Sequence, residues 1–551
     1  MLKNDYKPRV VVVFIVFLLL YLIIFTRLYV LQIHGKNFFK NLADQQYLVE
    51  LKISPDRAKI YDRTGKNPLA FNIQSYSAFI LPKQFQEKDK ILKFLKNNYD
   101  HVYKKINKNK HVKFLWLERH LTTEKVEKFK KLKLQDILFM PESSRFYPYN
   151  CISPIVGFTD IDNIGLAGIE LFFNDRLQGT PTTIEIKRDA RNSDFYFDKK
   201  IIREGKKGNS VILTIDSKLQ FLAQEELEKT VNEFEAAQGS VLIMNPDNGE
   251  ILVMANYPGF DPNSGVIENV ENTKNKIVTE CYEFGSVIKT FAALAALEEG
   301  LVTPDEMIDC EGKVAFINNV RVENWKSVDT ISFADVIKNS SNVGIAKVAS
   351  RLGPKFYNHL KRLGFGQKSG IWFPGERAGF VNPPQNWSRP SLIVMSFGYE
   401  LMATILQLGK AFSIIANGGY SVEPVLVKDP ARPKNSFRKK IYKSKTISDI
   451  KNILEPIGAL YAKNLEGFRV MGKTGTARGM EDGKYSTKKH VYSFAGIVEK
   501  GDYKRVIVTF IKEPKGSGWW ASQIAAPLFA KVAEKMIIQD LTSNSLKEVE
   551  S

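Results

Sequence analysis

The chain has 551 residues, 44% of them hydrophobic and 25% charged, a globular composition long enough for two or three domains, each with its own core. Its formal net charge of +19 comes mostly from lysines spread along the whole length, which reads as solvated surface rather than a nucleic-acid footprint; no nucleic-acid module, zinc-ligand pattern or phosphate-cradling glycine loop is present. Three cysteines, Cys151, Cys281 and Cys310, are too few and too scattered for a disulfide framework or a metal site, although one disulfide stays open.

Residues 1–9 carry Lys3, Lys7 and Arg9, and residues 10–31 form an apolar run broken only by Thr26 and Arg27. A helix of about 20 apolar residues crosses a bilayer, so this run predicts one span with Arg27 snorkelling and Tyr29 at the interface. A cleaved signal peptide is the rival reading; the bulky and charged residues after the run, with no small-x-small cleavage site, favour an uncleaved anchor. The basic residues before the span predict a cytoplasmic amino end and everything after it outside.

Residues 32–205 predict a mixed module. Short apolar groups alternate with polar ones over 51–81, as in strands joined by turns, and include Arg57-Ala58-Lys59-Ile60-Tyr61-Asp62-Arg63-Thr64-Gly65. From about 83 to 134, lysines are dense among apolar residues at helical spacing, such as Val126, Phe129 and Leu132. This reads as an amphipathic helical insertion with a wet face rather than a dedicated docking surface. Strand-like, glycine-marked segments return from Pro141 and include Gly165 to Asn174. The polar stretch Arg203 to Asn209 predicts a boundary, so 206–540 is expected to be a second domain and 541–551 a polar tail.

In that second domain, Ser210–Ile215 predicts a strand, Asp216–Phe234 a helix, and Gly239–Met254 a hairpin turning at Asn245-Pro246-Asp247-Asn248-Gly249. Tyr282–Gly300 predicts a helix apolar on every face, hence buried, with Ser286 and Lys289 near its start. Three residues apart, these side chains share one face, and a lysine desolvated among apolar groups can lose its charge and take a proton from a serine hydroxyl. Alone, S-x-x-K is a weak pattern. Downstream, Lys338–Ala349 predicts a helix approach containing Ser340-Ser341-Asn342, and Met471-Gly472-Lys473-Thr474-Gly475-Thr476-Ala477 precedes an apolar strand over Tyr492–Val498. The bland readings are that Ser340 and Ser341 cap a helix, Lys473 is a solvated strand end and Gly475 a turn. A closing helix is expected around Ala525–Ile538.

The three clusters in this order resemble the S-x-x-K, S-D-N and K-T-G set of serine β-lactamases and penicillin-binding proteins. Over nearly its whole length the chain resembles a class B penicillin-binding protein, a peptidoglycan D,D-transpeptidase. Arg57–Gly65, Gly165–Gly179, Pro246–Asn263 and Phe373-Pro374-Gly375-Glu376 match further family segments. Ser340-Ser341-Asn342-Val343-Gly344 resembles the division (septal) type, since elongation-type enzymes usually carry Asp at the third position. Departures are Ala58 for glycine, Phe284 for proline, Glu400 for glycine and Ile405 for proline. Glu400 puts the local backbone in question. If Phe284 loosens the turn before Gly285, acylation would be slow and Phe284→Pro would speed it.

The resemblance implies an α+β fold: membrane anchor helix, elongated mixed amino-terminal module resembling a dimerisation domain, then a serine β-lactamase-like transpeptidase domain with a central sheet flanked by helices. It implies Ser286 as nucleophile, Lys289 as base, Ser340 as proton relay, Asn342 holding Lys289 and the substrate amide, and Lys473 supplying positive charge. Thr474, Gly475 and Thr476 would bind the terminal carboxylate, with the Ser286 and Thr476 N–H groups as oxyanion hole. No metal or organic cofactor is implied. Peptidoglycan stem peptides and β-lactams are the implied ligands, with a membrane-embedded glycosyltransferase and division proteins as partners. A β-lactamase is disfavoured because no glutamate-containing deacylation motif follows Asn342. A bifunctional class A enzyme is disfavoured because 31–205 lack glycosyltransferase motifs. A D,D-carboxypeptidase, an elongation-type enzyme and a catalytically idle division scaffold remain alternatives. The end of the chain soon after the domain points to a Gram-negative periplasm.

Overall fold

The computed structural model describes residues 7–109, 112, 114–188, 195–429, 439–481 and 484–550. They fall into two compact units, one comprising residues 1–56 with 178–208 and the other 57–177 with 209–551. In the first, Lys7–Tyr29 is an α-helix continued by a π turn to His34, 28 residues in all. At 1.5 Å per residue it is about 42 Å long, enough to cross the roughly 30 Å hydrocarbon layer. Val10–Phe25 are exposed on every side, and among the described residues this is the one helix long and apolar enough to span a membrane. The unit also holds an antiparallel sheet of Leu48–Ile53, Thr182–Arg188 and Phe195–Arg203.

In the second unit, the lysine-rich stretch forms helices Lys88–Asn98, Asp100–Lys108 and Thr123–Lys131, and also a strand, Leu115–Leu121, that the lysine spacing hid. That strand and Leu138–Phe146 both pair with Pro68–Ile80, over a small core including Ile91, Leu95, Val102 and Val126. Leu132, expected on the apolar face, lies past the helix end and is exposed. The stretch 165–174, expected to be strand-like, is largely helical: Gly168–Phe172 is followed by Asn174–Gln178. Its turn of helix carries Glu170, fully buried, whose Oε2 accepts from Arg57 Nε at 2.5 Å and Oε1 from Arg145 Nε at 2.7 Å. Arg57 Nη2 donates to the Glu170 carbonyl at 2.8 Å, and Arg145 Nη1 to Asn72 Oδ1 at 2.9 Å. The matched segments near Arg57 and Glu170 are therefore two halves of one buried ionic knot. Ala58 has no positive φ, so alanine is unstrained where the family has glycine.

The main sheet has β1 (Gln238–Met244), β2 (Ile251–Tyr257), β3 (Arg469–Glu481), β4 (Lys484–Lys500) and β5 (Tyr503–Lys512), ordered 2-1-5-4-3 and antiparallel throughout. The β1–β2 pair is the expected hairpin. Every residue of β1 is buried, as layers on both faces require. One face is covered by Ser217–Glu233, capped by Asp216 onto the Leu219 N–H, and by Ala525–Glu550. The other carries α1 (Lys289–Glu298), Ile405–Ala416 and Ser444–Gly458. Ile405 occupies the first position of its helix, where proline fits well; a capping box between Thr404 and Gln407 holds that start instead. The three cysteines are free thiols.

Removing one member of a buried ionic group strands its partners, at a cost of about 3–5 kcal/mol. Glu170→Ala is expected to destabilise the protein by that order in urea unfolding, while Glu185→Ala, on the small sheet of the other unit, should lie within experimental error.

Candidate active site

Ser286 does not sit on a continuous α-helix. Gly285–Ile288 is a 3-10 turn, and α1 begins at Lys289. Residues i and i+3 of a 3-10 turn eclipse each other, so Ser286 and Lys289 still share a face. The turn is wedged against the edge strand β3: a Cβ built on Gly285 (φ +55°) would lie 2.5 Å from the Thr476 carbonyl oxygen, and one on Gly475 would lie 2.3 Å from the Phe284 carbonyl oxygen. Only glycine permits that approach. Gly475 is thus a strand residue paired with Ser493, not a turn.

The second cluster lies in a break between α2 (Phe333–Lys338) and α3 (Asn342–Leu352), where one helix approach was expected. Ser341 caps α3, accepting from the Gly344 N–H at 3.0 Å, and its hydroxyl donates to Asn324 Oδ1 at 3.0 Å. Ser340 caps nothing. It adopts φ +57°, a costly conformation for serine, which presents both its carbonyl and its hydroxyl to Lys289. Lys289 Nζ donates to Ser340 O at 2.6 Å and to Ser340 Oγ at 3.1 Å. From β3, Lys473 Nζ reaches the same Oγ at 3.2 Å and the Thr474 carbonyl at 3.2 Å.

Both lysines are shut away from solvent, at 0% exposure for Lys289 and 1% for Lys473, so Lys473 is no solvated strand end. Neither has a carboxylate partner among the described residues. Burial holds the Lys289 amine well below the usual lysine range, and the Lys473 charge pushes it the same way. Burial brings Lys473 down to about 7. Two amines sharing one hydroxyl titrate as a pair, and burial favours an amine of that pair in its neutral form. Such an amine has a lone pair for a proton. The Ser286 hydroxyl is half-exposed and makes no hydrogen bond among the described residues.

The remaining expected residues divide. Thr474 and Thr476 are half-exposed, and Thr476 Oγ1 accepts from the Ala521 N–H at 3.4 Å, leaving its own proton free to donate. Asn342 makes no hydrogen bond to Lys289 here: its Nδ2 donates to the Glu323 carbonyl at 2.8 Å, while Lys289 Nζ donates to Ser340. Its Oδ1 and the second Nδ2 proton have no partner among the described residues. Asn324, buried on the adjoining hairpin, holds Ser341 and the Val343 N–H at 3.1 Å; nothing in the sequence marks it.

The family described as "Penicillin binding protein transpeptidase domain" matches residues 239–534, and that described as "Penicillin-binding Protein dimerisation domain" matches 52–213. The chain belongs to the class B penicillin-binding proteins. It is 30% identical to the probable peptidoglycan D,D-transpeptidase PbpC of Pseudomonas aeruginosa, over 95% of this chain and 94% of that one. Stage V sporulation protein D of Bacillus subtilis is 31% identical over 96% of this chain and 85% of its own, and FtsI of Escherichia coli 27% over 91% and 87%. Among solved structures, penicillin-binding protein 3 of Mycobacterium tuberculosis complexed with aztreonam has the same fold, with TM-score 0.67 at 24% identity over 89% of this chain and 97% of that one.

The two departures from the family pattern nearest the site have physical accommodations. Glu400 adopts φ +55°, so the backbone keeps the conformation a glycine would take. Phe284 is 1% exposed, with its ring 6.2 Å from Phe510 and 6.4 Å from Tyr282, so packing holds the turn where proline would stiffen it. Phe284→Ala is expected to cost about 3–5 kcal/mol of stability, read from chemical denaturation.

A pH dependence follows from Lys473. Its folded pKa lies below the unfolded lysine value, so between about 7 and the ordinary lysine range the unfolded chain binds the extra proton and stability rises with pH. Below about 7 both states are protonated and the rise is absent. Lys289, also held below the lysine range, adds a rise of the same sign, so Lys473→Met is expected to make the rise in denaturant midpoints across pH 7 to 10 shallower rather than abolish it.

Proposed function

We propose that this penicillin-binding protein is a peptidoglycan D,D-transpeptidase that works through a serine acyl-enzyme on Ser286 and serves septal wall synthesis. The observation that carries the reading is the burial of Lys289 and Lys473 on a single hydroxyl, Ser340, beside the Ser286 turn, with no carboxylate partner among the described residues. A buried amine with no counter-ion is poised as a base.

Ser286 Oγ attacks the carbonyl carbon between the last two D-alanines of a stem peptide, and its proton passes to the neutral Lys289 amine. The oxyanion forms against the Ser286 and Thr476 N–H groups, where one donor is typically worth about 3–4 kcal/mol. Collapse breaks the carbon–nitrogen bond, and the proton held on Lys289 reaches the leaving D-alanine amine through the Ser340 hydroxyl. The amine of a neighbouring stem then attacks the ester, forming the new amide and returning a proton to Ser286. Lys473 supplies positive charge, the free protons of Thr474 and Thr476 suit the terminal carboxylate, and Asn342 Oδ1 accepts from the substrate amide. A β-lactam enters as a substrate whose acyl group stays on Ser286.

The division role rests on Ser340-Ser341-Asn342-Val343-Gly344 and on the similarity to FtsI of Escherichia coli. The basic residues before the apolar helix support a cytoplasmic amino end and a periplasmic catalytic domain, with 32–205 as pedestal and 206–540 as transpeptidase. Glycan polymerisation then comes from a membrane-embedded glycosyltransferase partner, with division proteins around both.

Fluorescent penicillin should label wild-type protein, not Ser286→Ala, and Lys473→Ala only weakly. Undiminished labelling of Ser286→Ala would overturn the nucleophile. With lipid-linked glycan substrate and a polymerase partner, mass spectrometry should show crosslinked dimers; trimmed monomers alone would mean a carboxypeptidase.

A further inference from the structure

Three residues before Ser286 stands a carboxylate that the mechanism does not use. Glu283 Oε1 accepts the Glu400 N–H at 2.9 Å and the Tyr485 hydroxyl at 3.0 Å. Its Oε2 is buried and, among the described residues, has no hydrogen-bond partner. Burial pushes the carboxyl upward, against the lowering by those two donors. Its neighbours are Glu400 and Tyr399 on the turn, Tyr485 from β4 and Arg478 from β3, with Glu280, Arg377, Lys512 and Glu513 around the same cleft. None of these forms an ion pair with it.

What Glu283 grips is an unfavourable piece of backbone. Glu400 is a non-glycine residue at φ +55°, and such residues persist only where their surroundings hold them. Two residues earlier, Gly398 (φ +97°) lies against the nucleophile turn: a Cβ there would be 2.1 Å from the Gly285 carbonyl oxygen. The segment 398–400 is therefore a backstop to Gly285, and therefore to the Ser286 N–H and hydroxyl. The Glu400 side chain is itself engaged elsewhere, its Oε2 accepting from Asn382 Nδ2 at 2.9 Å.

We propose that Glu283 is a positioning residue for acylation: its carboxylate oxygen tethers the strained Glu400 N–H, and through Gly398 this fixes the backbone of Gly285 and Ser286. The inference rests on Ser286 being the nucleophile. What the tether needs is an acceptor at Oε1, not a charge.

The test is the second-order rate of acylation by a fluorescent penicillin, with thermal unfolding run in parallel on the full chain. Glu283→Ala should acylate about 10- to 100-fold more slowly, the scale of a catalytic group displaced by about an ångström. Glu283→Gln, which keeps the acceptor oxygen, should stay close to wild type. Glu400→Gly removes the strain that the tether opposes, so Glu400→Gly alone should also stay close, and Glu283→Ala/Glu400→Gly should recover most of the lost rate. If Glu283→Ala does not fold, Glu283→Met, near in volume but without an acceptor, takes its place in every comparison. A purely structural role would move unfolding temperature and rate together and would gain nothing from Glu400→Gly. Full speed in Glu283→Ala or Glu283→Met, equal slowing in Glu283→Gln, or no recovery in the double variant each overturns the proposal. Labelling that survives Ser286→Ala overturns the nucleophile instead, so the two failures are distinct.

Discussion

The site depends on two lysine amines buried with no carboxylate to pair them among the described residues. A charge in that position loses its hydration and regains, among the described residues, only the dipoles of Ser340 and Thr474, so burial favours the neutral amine. That constraint explains the rest of the local architecture. Ser340 must turn its carbonyl and hydroxyl to the same side, which requires a left-handed residue between two helices. Ser341 then carries the capping that Ser340 gives up.

The buried amines also require a wall of tightly fitted backbone. Gly285, Gly398 and Gly475 meet over distances that no side chain allows, joining the nucleophile turn to β3 on one side and to the 398–400 turn on the other. Phe284 seals the turn from below with its ring among Tyr282 and Phe510. Strand β3 lies at the sheet edge, with Lys473 buried. The cleft is a seam between a sheet edge, a 3-10 turn and an interhelical break, each supplied by a different stretch of chain.

The ionic knot of Arg57, Arg145 and Glu170 shows the same logic away from the chemistry. Charges with almost no exposure are kept by exchanging most of the lost water for hydrogen bonds to partners or carbonyls, Arg145 Nη2 alone of the knot having none among the described residues. Segments more than a hundred residues apart in sequence are fixed to one another by it.

Much of this was legible without coordinates. The apolar run, the β1–β2 hairpin with its turn residues and the helix capped by Asp216 are local patterns, and local sterics and hydrophobic periodicity determine them. Ser286, Lys289, Ser340 and Lys473 were marked by their residue types and order. Other features were out of reach because they depend on contacts between distant segments. The lysine spacing that announced helices concealed strand Leu115–Leu121, whose apolar face exists only against Pro68–Ile80. Likewise, the split of one expected helix at Ser340, the diversion of Asn342 to Glu323 and the roles of Asn324 and Glu283 follow from partners brought by folding. Sequence alone determined which chemical groups the protein owns, since hydroxyls and amines are properties of residues. Tertiary structure decided which of them are shut away from water and so driven toward the neutral form, because burial is a property no stretch of chain has by itself.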